Sequence, residues 1–342
     1  MSIILALLIF SVIVVVHELG HFLLAKHNGI TVTEFSVGMG PRLLSHEWGG
    51  TRYSLKILPF GGSCMMVGEE EESEEEGAFG SKSVWARISV IVAGPLFNFL
   101  LAFVLSVIIV GNIGYDDTVV DVTSGYPAAE AGMQNGDEIV RMNGSRTYVY
   151  REVSLFNSLY QGQTAEVTYR RDGAEYTVQL VPVKDDSGYY RYGFAKTNIR
   201  TKGTVLQTVG YSFAELRYWL KATLQSLLKL VQGQVSINDV SGPVGIVDTI
   251  GNTYEESRSD GWYYVMLNMM IMSILLSVNL GVMNLLPIPA LDGGRLVFLL
   301  IEAVRGRALP QEKESMVHFV GFVLLMGLMA VVLLNDIRHL FL

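Results

Sequence analysis

Four stretches of this chain are long and apolar enough to cross a bilayer: Ile3 to Ala25, Val84 to Ile113, Tyr263 to Leu286 and Val317 to Leu334. A hydrocarbon core of about 30 Å takes roughly 20 helical residues, and each stretch is near or above that length. Averages hide this. Half of the 342 residues are hydrophobic, much as in a soluble protein, and it is their clustering into runs that marks a multi-pass membrane chain. The first run is not read as a signal peptide. It has no basic residue before it and no small-residue cleavage site, and it carries His17, Glu18 and His21.

An even number of spans places both termini on one side. The loop after the first span carries Lys26, Arg42, Arg52, Lys56, Lys82 and Arg87, and the loop after the third carries Arg305, Arg307 and Lys313. Basic loops stay in the cytosol, so the termini are expected outside. The run Glu69 to Glu76, seven glutamates interrupted by Ser73, counts little in that rule and reads as a solvated segment. It also supplies much of the net charge of -8, which therefore implies no nucleic-acid partner. One cysteine, Cys64, excludes an intrachain disulfide framework.

Ionisable groups inside a span are costly, so His17, Glu18 and His21 demand a reason. They form H-e-x-x-H. Positions i and i+4 share one helix face, so both imidazoles can bind one ion with the glutamate beside them. Zn2+ suits imidazole nitrogens, and a neighbouring glutamate can take a proton from a water the ion acidifies. The outstanding third ligand is Asp292, in Asn284-Leu285-Leu286-Pro287-Ile288-Pro289-Ala290-Leu291-Asp292-Gly293-Gly294, where two prolines and two glycines break the helix. Irregular backbone is tolerated at that depth when protein buries it or it lines a wet cavity. A plain capping aspartate before the last span is the alternative.

Together these motifs resemble the site-2 proteases, intramembrane zinc metallopeptidases. The likeness extends through Val37-Gly38-Met39-Gly40-Pro41, Leu58-Pro59-Phe60-Gly61-Gly62, Lys82-Ser83-Val84-Trp85, Ala93-Gly94-Pro95-Leu96-Phe97-Asn98 and Ser241-Gly242-Pro243-Val244-Gly245-Ile246. With one external domain, the chain is similar to the bacterial RseP type in a shorter form. The resemblance implies zinc on His17, His21 and Asp292, Glu18 as catalytic base, and Asn284 holding the substrate backbone. It also implies regulated intramembrane proteolysis of single-span proteins, such as anti-sigma factors and remnant signal peptides. The rival functions are a PDZ scaffold without catalysis and a metal transporter.

The expected fold is four transmembrane helices with an inserted α/β PDZ domain and a membrane-associated β-hairpin. Residues 1–114 hold the first two spans and the cytosolic hairpin, 115–184 the PDZ domain, 185–261 an extracytoplasmic amphipathic helical linker, and 262–342 the last two spans. The hairpin is read within Thr51 to Val67, turning at Gly61-Gly62. Its exposed edge could hold an unwound substrate. The PDZ expectation rests on Gly125 to Gly144, a short helix, an Asn-Gly turn and an alternating strand. In the linker, Val205 to Val231 shows one apolar helical face with Arg217, Lys221 and Lys229 beside it, as for a helix on the membrane surface or against the bundle. Asn98 reads first as a helix-packing residue, with a direct role in the active site as the second reading. His27, His46, His318 and His339 read as ordinary surface or interfacial histidines. The expected location is the bacterial cytoplasmic membrane, with termini and PDZ domain outside and the active site toward the cytosol.

Overall fold

The computed structural model describes residues 2–69, 73–197, 200–234, 241–308 and 310–341, with the side chains of 2, 59, 60, 311 and 339–341 left aside. Glu70 to Glu72 of the acidic run, and the side chain of His339, lie outside the described set. The chain divides into two compact units, residues 1–105 with 223–342, and residues 106–222.

In the first unit, helix α1 is Ser2–His27, α2 is Val84–Ile113, and the strands β1 (Val32–Trp48) and β2 (Thr51–Met66) lie between them. Among the described residues, four helices are long and apolar enough to cross a membrane: Ile3–His27, Val84–Ile113, Trp262–Asn284 and Glu312–Arg338. The four expected spans are therefore present, each within a few residues of its expected ends.

The hairpin differs from its reading. Its turn is Gly49-Gly50, where both residues have positive φ (57° and 71°), the backbone that a two-residue hairpin turn requires. Thr51–Met66 is one strand, and its partner is the preceding segment rather than a second half of itself. Gly61, with φ 80°, bends that strand instead of ending it. The pairing is antiparallel along the hairpin, from Trp48↔Thr51 to Arg42↔Lys56, and again from Val37↔Gly62 to Val32↔Met66. Residues 34–37 also lie opposite 52–55 in rising register. Two bent strands thus make four ranks, with 62–66 along one margin. The ranks pack against α1, where Ala25, Ile30, Val32, Met66 and Val90 form a buried cluster.

The second unit takes in the end of α2 and most of α5. Its sheet contains β3 (Val119–Val122), β4 (Asp137–Met142), β5 (Ser145–Arg146), β6 (Ala165–Arg171), β7 (Ala174–Leu180) and β10 (Phe194–Lys196), in the order β10-β3-β4-β6-β7 with β5 on β4. The short helices α3 (Pro127–Glu130) and α4 (Tyr150–Leu159) lie within its span, and β8 (Val183–Lys184) pairs with β9 (Tyr190–Arg191). Because β10 belongs to the sheet, the boundary at 184 falls inside the folded body. Val120, Ile139, Met142, Val153, Val167 and Leu180 are in its core. Helix α5 is Val205–Val231, the range its periodicity predicts. Two of its basic residues bind protein: Arg217 donates to buried Glu152 at 2.7 Å, and Lys221 to Ser145 Oγ at 2.9 Å.

Helices α6 (Pro243–Arg258), α7 (Trp262–Asn284), α8 (Asp292–Arg305) and α9 (Gln311–Phe341) complete the first unit. Neither α6 nor α8 is anticipated above. Helix α6 packs on α1, α7 and α9, and Ile250 joins Ala6, Ile9, Ile13 and Leu276 in a second apolar cluster. Its N-terminus is held by Asp336 of α9. That carboxylate accepts from the backbone N–H of Gly242 (2.9 Å), Val244 (3.0 Å) and Gly245 (3.0 Å). A carboxylate suits the positive end of a helix dipole, and these donors would otherwise be unpaired. Asp336→Leu should therefore destabilise the first unit by about 2–3 kcal/mol, with Asp336→Asn milder. Thermal inactivation in detergent reads this, and an unchanged midpoint in the Leu variant would refute the clamp.

Candidate active site

Helix α1 presents His17 and His21 on one face, 6% and 7% exposed, and α8 begins at Asp292. His17 Nε2 lies 3.1 Å from His21 Nε2 and 3.1 Å from Asp292 Oδ2, while His21 Nε2 is 3.5 Å from the same oxygen. Tetrahedral zinc with ligand bonds of about 2.0–2.1 Å needs ligand atoms about 3.3 Å apart, so this triangle has the right size. Asp292 Oδ2 is buried and makes no hydrogen bond of its own. Among the described residues, these three form the His/Cys/Asp/Glu group able to hold a metal ion. The donor set fits zinc: two imidazoles and one carboxylate, three protein ligands as in catalytic zinc sites.

Helix α2 aims the rings. His21 Nδ1–H donates to the Val90 carbonyl at 2.8 Å, which leaves Nε2 as the ligand nitrogen. One turn on, Gly94 lies flat against both histidines. A Cβ there would collide with His21 Nε2 and sit 2.7 Å from Cε1 of each ring. One further turn on is Asn98, fully buried, with its amide 3.1 Å from His17 Nδ1. When His17 ligates through Nε2, Nδ1 carries the proton and needs an acceptor. Turning the Asn98 amide brings Oδ1, which otherwise has no partner, to that proton. Asn98 thus lies beside a histidine of the cluster, beyond the packing role that is its first reading. Its backbone carbonyl also accepts from Ser277 Oγ of α7 at 2.9 Å.

Close helix approach makes this possible. Gly20 of α1 faces the Ala93 carbonyl, and any side chain there would strike it. Glu18 stands apart from the three converging atoms. Its carboxylate takes a hydrogen bond from the Cys64 backbone, and its Cγ would be 3.3 Å from a Cβ on Gly62. The margin strand 62–66 therefore runs beside Glu18. Asn284, the last residue of α7, has Nδ2 3.3 Å from His17 Nε2. His17, Glu18, His21, Asn284 and Asp292 are thus within one neighbourhood.

The profile of peptidase family M50 matches residues 5–328. The chain belongs to peptidase family M50. It is 36% identical over 339 residues to a presumed zinc metalloprotease of Clostridium perfringens, covering 98% of both chains. It is 32% identical to the zinc metalloprotease RasP of Geobacillus kaustophilus, covering 100% of this chain and 99% of the relative. The regulator of sigma-W protease RasP of Bacillus subtilis is likewise 32% identical, with 98% of each chain covered. A crystal structure of the PDZ domain of an SdrC-like protein from Listeria monocytogenes matches 25% of this chain and 90% of that one, at 21% identity and a TM-score of 0.22. This M50 member is a membrane-embedded metalloprotease, and Zn2+ is its cofactor.

One residue of this neighbourhood is misread from sequence. His318 of α9 is no ordinary interfacial histidine, because its Nδ1 accepts from the Ala290 backbone N–H at 2.9 Å, two residues before Asp292. Nothing in its local spacing signals this. His27 and His46 are exposed, as expected.

Proposed function

We propose that this M50 peptidase cuts the transmembrane segments of single-span membrane proteins, with His17, His21 and Asp292 as zinc ligands and Glu18 as base. The observation that carries the reading is the triangle of donor atoms beside a glutamate that is not part of it. Bound zinc supplies Lewis acidity toward a water and the scissile carbonyl. Glu18 takes the proton of the attacking water and passes it to the leaving nitrogen. Asn284 donates its amide N–H to the substrate backbone near the metal. The margin strand 62–66 pairs with the unwound substrate and holds it extended, since a helical segment hides its peptide bonds.

Substrates of the anti-sigma-factor class and remnant signal peptides fit this role, and the name of the Bacillus subtilis relative, a regulator of sigma-W protease, supports the former. The basic loops support a bacterial cytoplasmic membrane location with both termini and the inserted unit outside and the active site toward the cytosol. In that arrangement residues 115–196, which include every strand of the sheet, act as a PDZ domain that obstructs substrates with bulky external parts, and the helical stretch after them tethers it.

The test is co-expression with a panel of tagged single-span proteins, each with its external domain intact or trimmed. The native chain should cut trimmed members within the span, with the cut site mapped by mass spectrometry. Deleting residues 118–196 with a short linker should extend cleavage to the intact members. A zinc-loaded deletion variant that still rejects every intact member rules out the filter. Cleavage confined to soluble loops rules out the intramembrane substrate class.

A further inference from the structure

The loop between α7 and α8 carries Asp292 to the histidines, and it holds a strained residue. Ala290 has φ 77°, a left-handed backbone that costs a non-glycine residue of order 1–2 kcal/mol. Pro287 and Pro289 have no N–H to give. Ile288 N–H bonds back to Leu286 at 2.7 Å and Leu291 N–H to Ile288 at 3.2 Å, so local bonds hold both sides of the strained residue. Ala290 N–H instead leaves the loop for His318 Nδ1 on α9. Gly321, three residues along α9, meets Pro289, with the proline carbonyl oxygen 2.8 Å from where a Cβ would stand. The His318 ring also packs on Phe298 of α8, centroids 5.4 Å apart. Its Nε2 is buried without a hydrogen bond, 3.8 Å from Glu314.

We propose that His318 is a positioning residue for Asp292. Its Nδ1 lone pair accepts from Ala290 N–H and keeps the 285–291 loop in the strained form that delivers the Asp292 carboxylate to His17 and His21. The proposal rests on Asp292 being a zinc ligand. Partners bonded directly to a ligand are worth about 10–100-fold in affinity or activity, and His318 acts one step further out, so the low end of that range is expected. Asparagine can place its Oδ1 where Nδ1 stands, whereas leucine fills the space and accepts nothing.

The experiment compares His318→Leu, His318→Asn and Val320→Ala in the full-length protein, reading the chelator concentration that strips half the zinc and the kcat for a trimmed single-span substrate. Val320 lines the same α9 groove as Gly321 and Pro289 and serves as the packing control. His318→Leu should lose zinc at about 10-fold lower chelator and fall at least about 10-fold in kcat. His318→Asn should return both to within about 3-fold of the native protein, and Val320→Ala should leave both unchanged. Native zinc retention in His318→Leu, an Asn variant as defective as the Leu one, or an equal loss in Val320→Ala would each overturn the proposal. Asp292→Ala, run alongside, separates the two readings. If it keeps zinc, the ligand assignment fails and the proposal falls with it, whereas loss of zinc there beside native zinc retention in His318→Leu overturns the positioning role alone.

Discussion

Glu18→Gln is expected to cut proteolysis by about 10²–10⁴-fold while the protein keeps its zinc. The three atoms that converge are His17 Nε2, His21 Nε2 and Asp292 Oδ2, and the Glu18 carboxylate instead faces the Cys64 backbone. Glutamine preserves the length and packing of the side chain and can still accept that backbone hydrogen bond, but it cannot take a proton from the attacking water. His21→Ala and Asp292→Ala remove ligand atoms, so both should lose metal and activity together. Zinc-to-protein ratios of purified variants, measured beside cleavage of a trimmed substrate, separate the two kinds of defect. Normal cleavage by Glu18→Gln would sink the assignment of the base. Loss of its zinc would make Glu18 a ligand.

Gly94→Ala should be nearly as damaging, although it adds one methyl group to a helix. On helix propensity alone alanine is favoured over glycine by about 1 kcal/mol, so a purely local argument predicts a gain. The site reverses the sign. The new Cβ would clash with His21 Nε2 and stand 2.7 Å from Cε1 of both rings, so the rings or the helix must move. A displacement near 1 Å at a reacting centre can cost about 10²-fold in rate, and that is the loss expected here, together with weaker zinc retention. Helix content by circular dichroism should not fall. A Gly94→Ala protein with native zinc affinity and native cleavage would mean the rings have space that their contacts do not allow.

Sequence alone determined what depends on short range. Length and apolarity determined the four spans, since only the bilayer requirement had to be met. Helix α5 followed from its own periodicity, and the sharing of one face by His17 and His21 from the pitch of an α-helix. Asp292 was singled out because a charge in broken, apolar surroundings demands a partner.

The misses share another cause. Pairing of Thr51–Met66 with the preceding strand was readable at Gly49-Gly50, but Gly61-Gly62 offers a rival turn, and only the packing of the strands against α1 selects between them. Helix α6 contains Gly245, Thr249, Gly251 and Thr253, a weak helix sequence that packing on α1 and α7 and the Asp336 carboxylate stabilise. The sheet edge at Phe194–Lys196 depends on a strand more than seventy residues earlier. Asn98 lies 81 positions from the imidazole it meets, and His318 lies 28 positions from the backbone it holds. No local pattern encodes such contacts, because each depends on where separate helices come to rest. The kind of chemistry was therefore written in a few short segments, whereas the groups that aim it were decided by tertiary packing.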